Sequence, residues 1–315
     1  MNKMILRNTI ISVLLIAALM FVVLLSKRSP YGTRQSSFAI APEKDITRIE
    51  LTEDDNRISL VKQGGTWLLD HKYETRKSAI LSLLDILTGI KIKSPVSSGT
   101  FNEEVTDKNI KPVKIRVYKD HKLLRTFIIY RTASNAYGNI MKRSSRSRPF
   151  IVYVPGYEED IGYFFSTEPH FWRPFTVFDL LPSEISSVEV INTYDTASSF
   201  RITASDRNFL LEGTAGWDSS RVNRYISYFT FVPFEGWVQS GAGEKIATAD
   251  VCHTITVMKT TGEKVVLSLW EKSDSSAGTT DSDRLYGKLN TMDDLFIIRY
   301  FDIDPLLKKR SYFYQ

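Results

Sequence analysis

Polar and apolar residues alternate along much of this chain. Ile46, Ile49 and Leu51, then Ile58 and Leu60, mark short strands joined by turns, because a half-buried strand points successive side chains to opposite faces. The period then changes. Ile80, Leu83, Leu84, Leu87 and Ile90 share one face of a helix, with Gly89 as a C-terminal stop. Alternation returns in "VKIRVY" (113–118), "LLRTFIIY" (123–130) and "PFIVYV" (149–154). The second half reads the same way: a helix through Val222, Tyr225, Ile226 and Phe229, with Ser219 or Ser220 as N-cap and Pro233 beyond it, then strands in "HTITVM", "KVVLSLW" and "LFIIRY". Runs of strands with one principal helix each predict an α+β fold with mainly antiparallel sheets.

The two halves align as copies of one unit. "DITRIEL" at 45–51 is echoed by "EISSVEV" at 184–190, an offset of 139. From Arg57 to Gly99 the offset is 142, so that Ile58 and Leu60 match Phe200 and Ile202, "WLLD" at 67–70 matches "FLLE" at 209–212, and "SPVSSG" at 94–99 matches "GWVQSG" at 236–241. Further on, "IRVYKD" (115–120) matches "ITVMKT" (255–260), "FIIYR" (127–131) matches "LSLWE" (267–271), Tyr137-Gly138 matches Tyr286-Gly287, and "FIVYV" (150–154) matches "FIIRY" (296–300). The expected organisation is therefore an N-terminal signal anchor and juxtamembrane segment over 1–37, a first α+β repeat over 38–182 and a second over 183–315, with the seam near "RPFTVFDLLPSEI", Arg173 to Ile185. In "NRISLVKQGGTWLLD", Trp67 follows a Gly64-Gly65 turn and its partner in the second copy is Phe209. An aromatic at that place in both copies reads as a core residue and not as a ligand-stacking one.

One apolar run has no period. "TIISVLLIAALMFVVLLS", Thr9 to Ser26, holds 18 uncharged residues between Arg7 and Lys27, long enough for a helix across a hydrocarbon core of about 30 Å. The exit "LLSKRSPYG" carries charge where a cleavage site has small residues. This predicts an uncleaved transmembrane signal anchor, with the protein single-pass in a bacterial cytoplasmic (inner) membrane and its C-terminal domain on the periplasmic side.

"DITRIEL" followed by "ISLVKQGGTWLL", a polar connection and the helix "AILSLLDILTGI" resembles the opening of a bacterial envelope domain family of unassigned function, in which an N-terminal anchor precedes β-rich copies. The resemblance covers residues 38–315. It implies an envelope location and, because some members are encoded beside gliding-motility-type ABC transporter components, a transporter neighbourhood. It brings no catalytic residues.

Composition narrows the function classes. Lys3, Arg7, Lys27, Arg28 and Arg34 are unopposed by any acid before residue 43, so the formal charge of +5 belongs to the N-terminal segment and the rest holds 36 basic and 36 acidic residues. A neutral domain argues against nucleic acid. Cys252 is the single cysteine, so no internal disulfide forms. The four histidines, His71, His121, His170 and His253, lack metal-ligand spacing, and no cofactor motif is present. The run "GTTDSDRLYGK" (278–288) has the wrong glycine spacing for a phosphate loop and reads as a solvated loop. Glu103-Glu104, Glu158-Glu159-Asp160 and Asp293-Asp294 are neighbours in sequence, not carboxyl pairs facing each other across a cleft. The sharpest charge feature is "MKRSSRSRP", in which Lys142, Arg143, Arg146 and Arg148 are candidates to hold an anion or a lipid head group; the matching "KLNTMDDL" of the second copy is acidic at its end.

These observations predict a membrane-anchored envelope interaction or accessory protein without catalytic activity, bound to the membrane through Thr9–Ser26 and to a protein partner in a membrane complex, which the resemblance implies could be an ABC-type transporter. The alternative is an envelope ligand-binding protein for a glycan or lipid with a cleft between the repeats, and, behind that, a hydrolase with an unrecognised site.

Overall fold

The structure is a computed structural model that describes residues 13–18, 20, 38–40, 46–132, 138–157, 160–206, 208–213, 215–238, 246, 249–273 and 280–314. The chain divides into two compact units between Pro174 and Phe175.

In the first unit the strands are β1 (Arg48–Glu53), β2 (Asn56–Gln63), β3 (Thr66–Leu69) and β4 (Tyr73–Glu74), then helix α1 (Lys77–Gly89), β5 (Lys91–Pro95), helix α2 (Ser98–Phe101), β6 (Pro112–Lys119), β7 (Lys122–Tyr130), β8 (Ile140–Lys142) and β9 (Phe150–Tyr153). They form one antiparallel sheet in the order β4-β3-β2-β1-β6-β7-β8-β9-β5. Alternation sets which face is buried: Ile49, Leu51, Ile58, Leu60, Ile115, Val117, Phe127 and Ile129 all enter one core with the α1 face Ile80, Leu83, Leu84 and Leu87. Gly64 and Gly65 turn β2 into β3, both at positive φ, the backbone that a two-residue hairpin turn requires. Gly89 closes α1 for a different reason. Its backbone is not left-handed, and a Cβ there would stand 3.0 Å from the Val154 Cγ1 atom.

The second unit contains β10 (Thr176–Phe178), β11 (Ile185–Asn192), β12 (Phe200–Ser205), β13 (Asn208–Leu211), helix α3 (Ser219–Ser227), β14 (Val232–Pro233), β15 (Gly236–Trp237), β16 (His253–Lys259), β17 (Lys264–Ser273), β18 (Thr280–Leu289) and β19 (Phe296–Arg299). Because β10 pairs with β14, the chain from Phe175 onward packs with this unit, within the Arg173–Ile185 stretch. Its large sheet runs β13-β12-β11-β16-β17-β18-β19-β15, the order of the first unit without a counterpart of β4. The ladders carry the same offsets as the sequence. Ile49↔Leu60 and Ile49↔Val117 recur as Val188↔Ile202 and Val188↔Val257; Lys62↔Trp67 recurs as Ala204↔Phe209; Met141↔Phe150 recurs as Gly287↔Phe296.

Four expectations need correction. The Thr9–Ser26 span is not found: no helix among the described residues is long and apolar enough to cross a membrane, and most of that segment lies outside the described residues. The consecutive helical residues 13–18 rise only about 9 Å, against about 30 Å of hydrocarbon, so the transmembrane helix, the membrane attachment and the single-pass inner-membrane location are withdrawn. The β-rich α+β part of the reading agrees with the structure. Secondly, "GTTDSDRLYGK" is not a loop from residue 280 onward; it is most of β18, whose Leu285 and Leu289 are buried while Asp281 and Arg284 pair with Lys272 and Glu235. Thirdly, α3 is capped by Asp218, whose carboxylate accepts from the Ser220 amide at 2.7 Å, and Ser219 is the first helical residue. Finally, Gly287 is in register with Met141 and not with Gly138, since Leu269↔Gly287 stands where Ile129↔Met141 does; Tyr137 lies outside the described residues.

Gly287 has a packing role. A Cβ at that position would overlap the ring of Phe296, which is fully buried and stacked on Phe234 with centroids 4.5 Å apart. Gly287→Ala is therefore expected to cost about 1–3 kcal/mol, read as a lower urea midpoint; an unchanged midpoint would show that the ring does not lie over the strand.

Candidate functional site

The structure separates the four basic residues that the sequence groups together. Lys142 ends β8 with its Nζ 5.0 Å from the centre of the Phe101 ring. Arg143 is half-buried and donates to the Thr126 carbonyl at 2.7 Å; burial and, next, the neighbouring Arg125 charge lower its pKa from the usual guanidinium value. Arg146 sits in a turn closed by Ser144 and Ser147, whose hydroxyl accepts from the Ser144 amide at 2.7 Å and donates to its carbonyl at 2.9 Å. Only Arg146 and Arg148 come together, on the wall of an open cavity of about 650 Å³ shared with Ser97, Ser98 and Ser147. No acid lines it. The Ser97 hydroxyl is already committed to capping α2, accepting from the Thr100 amide at 3.1 Å.

A second concavity lies where β3 faces the first turns of α1. It is a groove of about 350 Å³ whose floor is Trp67, Ile80 and Leu84, with Lys62, Glu74 and Lys77 around it and Leu81 beside it. Trp67 is 8 % exposed and belongs to the core, so the hairpin reading of that residue agrees with its packing; the remaining edge of the indole forms the groove. Thr75 fixes this wall by donating its amide (2.9 Å) and hydroxyl (3.1 Å) to the Trp67 carbonyl. Leu81 is 56 % exposed. The core stripe of α1 passes through Ile80 and Leu84, and Leu81, one position on, points about 100° away from Ile80. That off-stripe leucine was the signal available in the sequence. At the offset of 142 the second unit has Asn223 there, while its Val222, Tyr225 and Ile226 keep the buried face.

Several other chemistry-bearing groups serve the fold. Glu104 pairs with Lys108 at 2.7 Å. Asp160 caps the turn Ile161–Phe165 by accepting from the Gly162 amide at 2.9 Å, and Glu158 and Glu159 lie outside the described residues. Among the described residues no group of three or more His, Cys, Asp and Glu could hold a metal ion. Cys252 is buried and donates its Sγ to the Leu269 carbonyl at 3.1 Å; burial, then the Glu271 charge, pushes the thiol up to about 11. Burial lowers the pKa of His253 next to it, so at neutral pH this pair is a neutral thiol beside a neutral imidazole, without a thiolate nucleophile.

No protein-family model, curated protein or solved structure matches this chain.

Tyr225 is fully buried with its hydroxyl donating to the Leu306 carbonyl at 2.9 Å, and burial raises its phenol well above the ordinary value. Both Cys252 and Tyr225 thus favour the neutral form when folded. Above about pH 9 the unfolded chain loses protons that the folded chain keeps, so stability is complete below that pH and falls as pH rises toward the native thiol value. A lower urea midpoint at about pH 10.5 than at pH 7 is expected, with Cys252→Ala recovering part of the difference; equal midpoints at the two pH values would contradict the burial of both groups.

Proposed function

We propose that this chain is a non-catalytic interaction protein whose first unit docks a partner protein through the groove beside Trp67. The supporting observation is Leu81, an exposed leucine beside a groove floored by Trp67, Ile80 and Leu84, at a place where the second unit carries Asn223. The fold has been built twice, once without an apolar residue at that position, so packing of the unit does not require it. The groove suits one inserted aliphatic or aromatic side chain, with Lys62, Lys77 and Glu74 placed for polar contacts around a desolvated centre. Among the groups able to do covalent chemistry, Glu104, Asp160 and Cys252 are engaged in pairing, capping and core contacts, which favours binding over catalysis. A transporter component is the class of partner that the family resemblance suggests; a membrane anchor forms no part of this reading.

A photo-cross-linking residue at position 81 tests the groove against its own counterpart. In cells, Leu81→benzoylphenylalanine is expected to give a discrete protein adduct, Asn223→benzoylphenylalanine none, and Lys62→Glu with Lys77→Glu should weaken the adduct at 81. Adducts at both positions alike, or at neither, would overturn the assignment.

A further inference from the structure

The opposite face of the first sheet carries charge that the fold does not explain. Outward positions alternate with the core residues: Arg48, Glu50 and Thr52 on β1, Arg57 and Ser59 on β2, Lys114, Arg116 and Tyr118 on β6. Glu50 is only 6 % exposed and is surrounded by Arg57 at 3.2 Å, Arg116 at 3.6 Å and Arg48 at 3.7 Å, with the Tyr118 hydroxyl donating at 3.3 Å. The Arg48 guanidinium also lies over the Tyr118 ring, 4.1 Å from its centre. One carboxylate offsets one of these cations, and Lys114 stands exposed beside them. Of the other acids near these strands, Asp54 pairs with Lys111, Glu53 pairs with Arg131 and accepts from the Thr167 hydroxyl, and Asp70 accepts from the Ser59 amide at 2.7 Å.

The cations also form a row. Arg57, Thr52, Lys114, Ile128 and Lys142 are successive partners across β2, β1, β6, β7 and β8. Positive charge therefore recurs on every second strand, about 10 Å apart. In the second unit, whose ladders are in the same register, the corresponding positions for Arg48, Arg57, Lys114 and Arg116 hold Ser187, Ser199, Thr254 and Thr256, while the acid is retained as the half-buried Glu189 opposite Arg201, the counterpart of Ser59. An acid at this place does not need three arginines, and a sheet of this topology does not need a basic face.

We propose that the outward face of β2, β1 and β6, extended to Lys142 on β8, binds a linear acidic polysaccharide carrying a carboxylate or sulfate on each repeating unit. The guanidinium forks of Arg57 and Arg116 suit such groups, and the evenly spaced cations suit a polymer lying across the strands. Thr52 and Ser59 place hydroxyls between them for sugar hydroxyls. Single-stranded nucleic acid needs open aromatic platforms, whereas the ring of Tyr118 is already covered by Arg48. This face is distinct from the Trp67 groove and stands or falls separately from it.

Isothermal titration of the full chain with polygalacturonate, heparin, oligo(dT) and neutral dextran, at low and high salt, tests the proposal. Polygalacturonate or heparin is expected to bind with an affinity that falls as salt rises, the stronger of the two identifying carboxylate or sulfate; dextran should not bind, and oligo(dT) should bind at least about tenfold more weakly. The double variant Arg57→Ser with Lys114→Thr takes the second unit's own residues and leaves Arg48 and Arg116 on Glu50. It is expected to weaken binding about tenfold and to reduce the salt slope by about two, with Arg57→Lys plus Lys114→Arg restoring both. Should the double variant melt early, Lys114→Thr alone, at an exposed position, is expected to weaken binding about threefold. No binding to either acidic polymer, oligo(dT) binding as tight as theirs, or unchanged affinity in folded variants would overturn the proposal.

Discussion

The constraint on which everything else depends is the register of the antiparallel ladders. Side chains on a strand alternate between faces, so a slip of β6 by one residue against β1 would turn Ile115 and Val117 out of the core and bring Lys114 and Arg116 into it. Burying those charges unpaired would carry a large desolvation cost. The register is thus fixed by the apolar pattern, and it fixes in turn where α1 docks, where the Trp67 groove opens and which cations share the outer face.

The same register is built twice, and that repetition separates what the fold needs from what it does not. Both units keep aliphatic or aromatic residues at most of the ladder positions that face the core, and both keep an aromatic after the turn that begins the third strand, Trp67 in one and Phe209 in the other. They part at Leu81 and Asn223 on the helix and at the four outward positions that are basic in the first unit and hydroxyl-bearing in the second. Core differences are compensated locally: Met141 fills the space opposite Phe150, whereas Gly287 leaves that space for the Phe296 ring. The exposed differences have no such compensation, which is why they point to binding.

Much of the fold was legible because it is written in local periods. The alternations of Ile58 and Leu60, the helical spacing of Ile80, Leu83, Leu84 and Leu87, and the offsets of 139 and 142 all reappear in the pairing of strands. What was misread depended on information absent from the linear order. The apolar run Thr9–Ser26 has the length of a span, but length does not determine that a helix of that extent forms. The charged residues of "GTTDSDRLYGK" looked loop-like because their partners, Lys272 and Glu235, come from β17 and from just before β15. The site was less legible than the fold for the same reason. Arg57 and Lys114 are 57 residues apart in sequence and two strands apart in space, whereas Lys142 and Arg143 are adjacent in sequence and engage different neighbours. Outward basic residues alternating with core ones, as in "VKIRVY", are the trace such a face leaves in a sequence.

The central claim is that residues differing between the two copies at exposed positions are not needed to fold the first unit. It is tested most directly by the unfolding free energy of one variant carrying Leu81→Asn and Lys114→Thr together. The account predicts a value within about 1 kcal/mol of the parent, the range of surface substitutions that break no buried network. A loss of several kcal/mol would contradict it, showing that these side chains hold the first unit together and are not free for a partner.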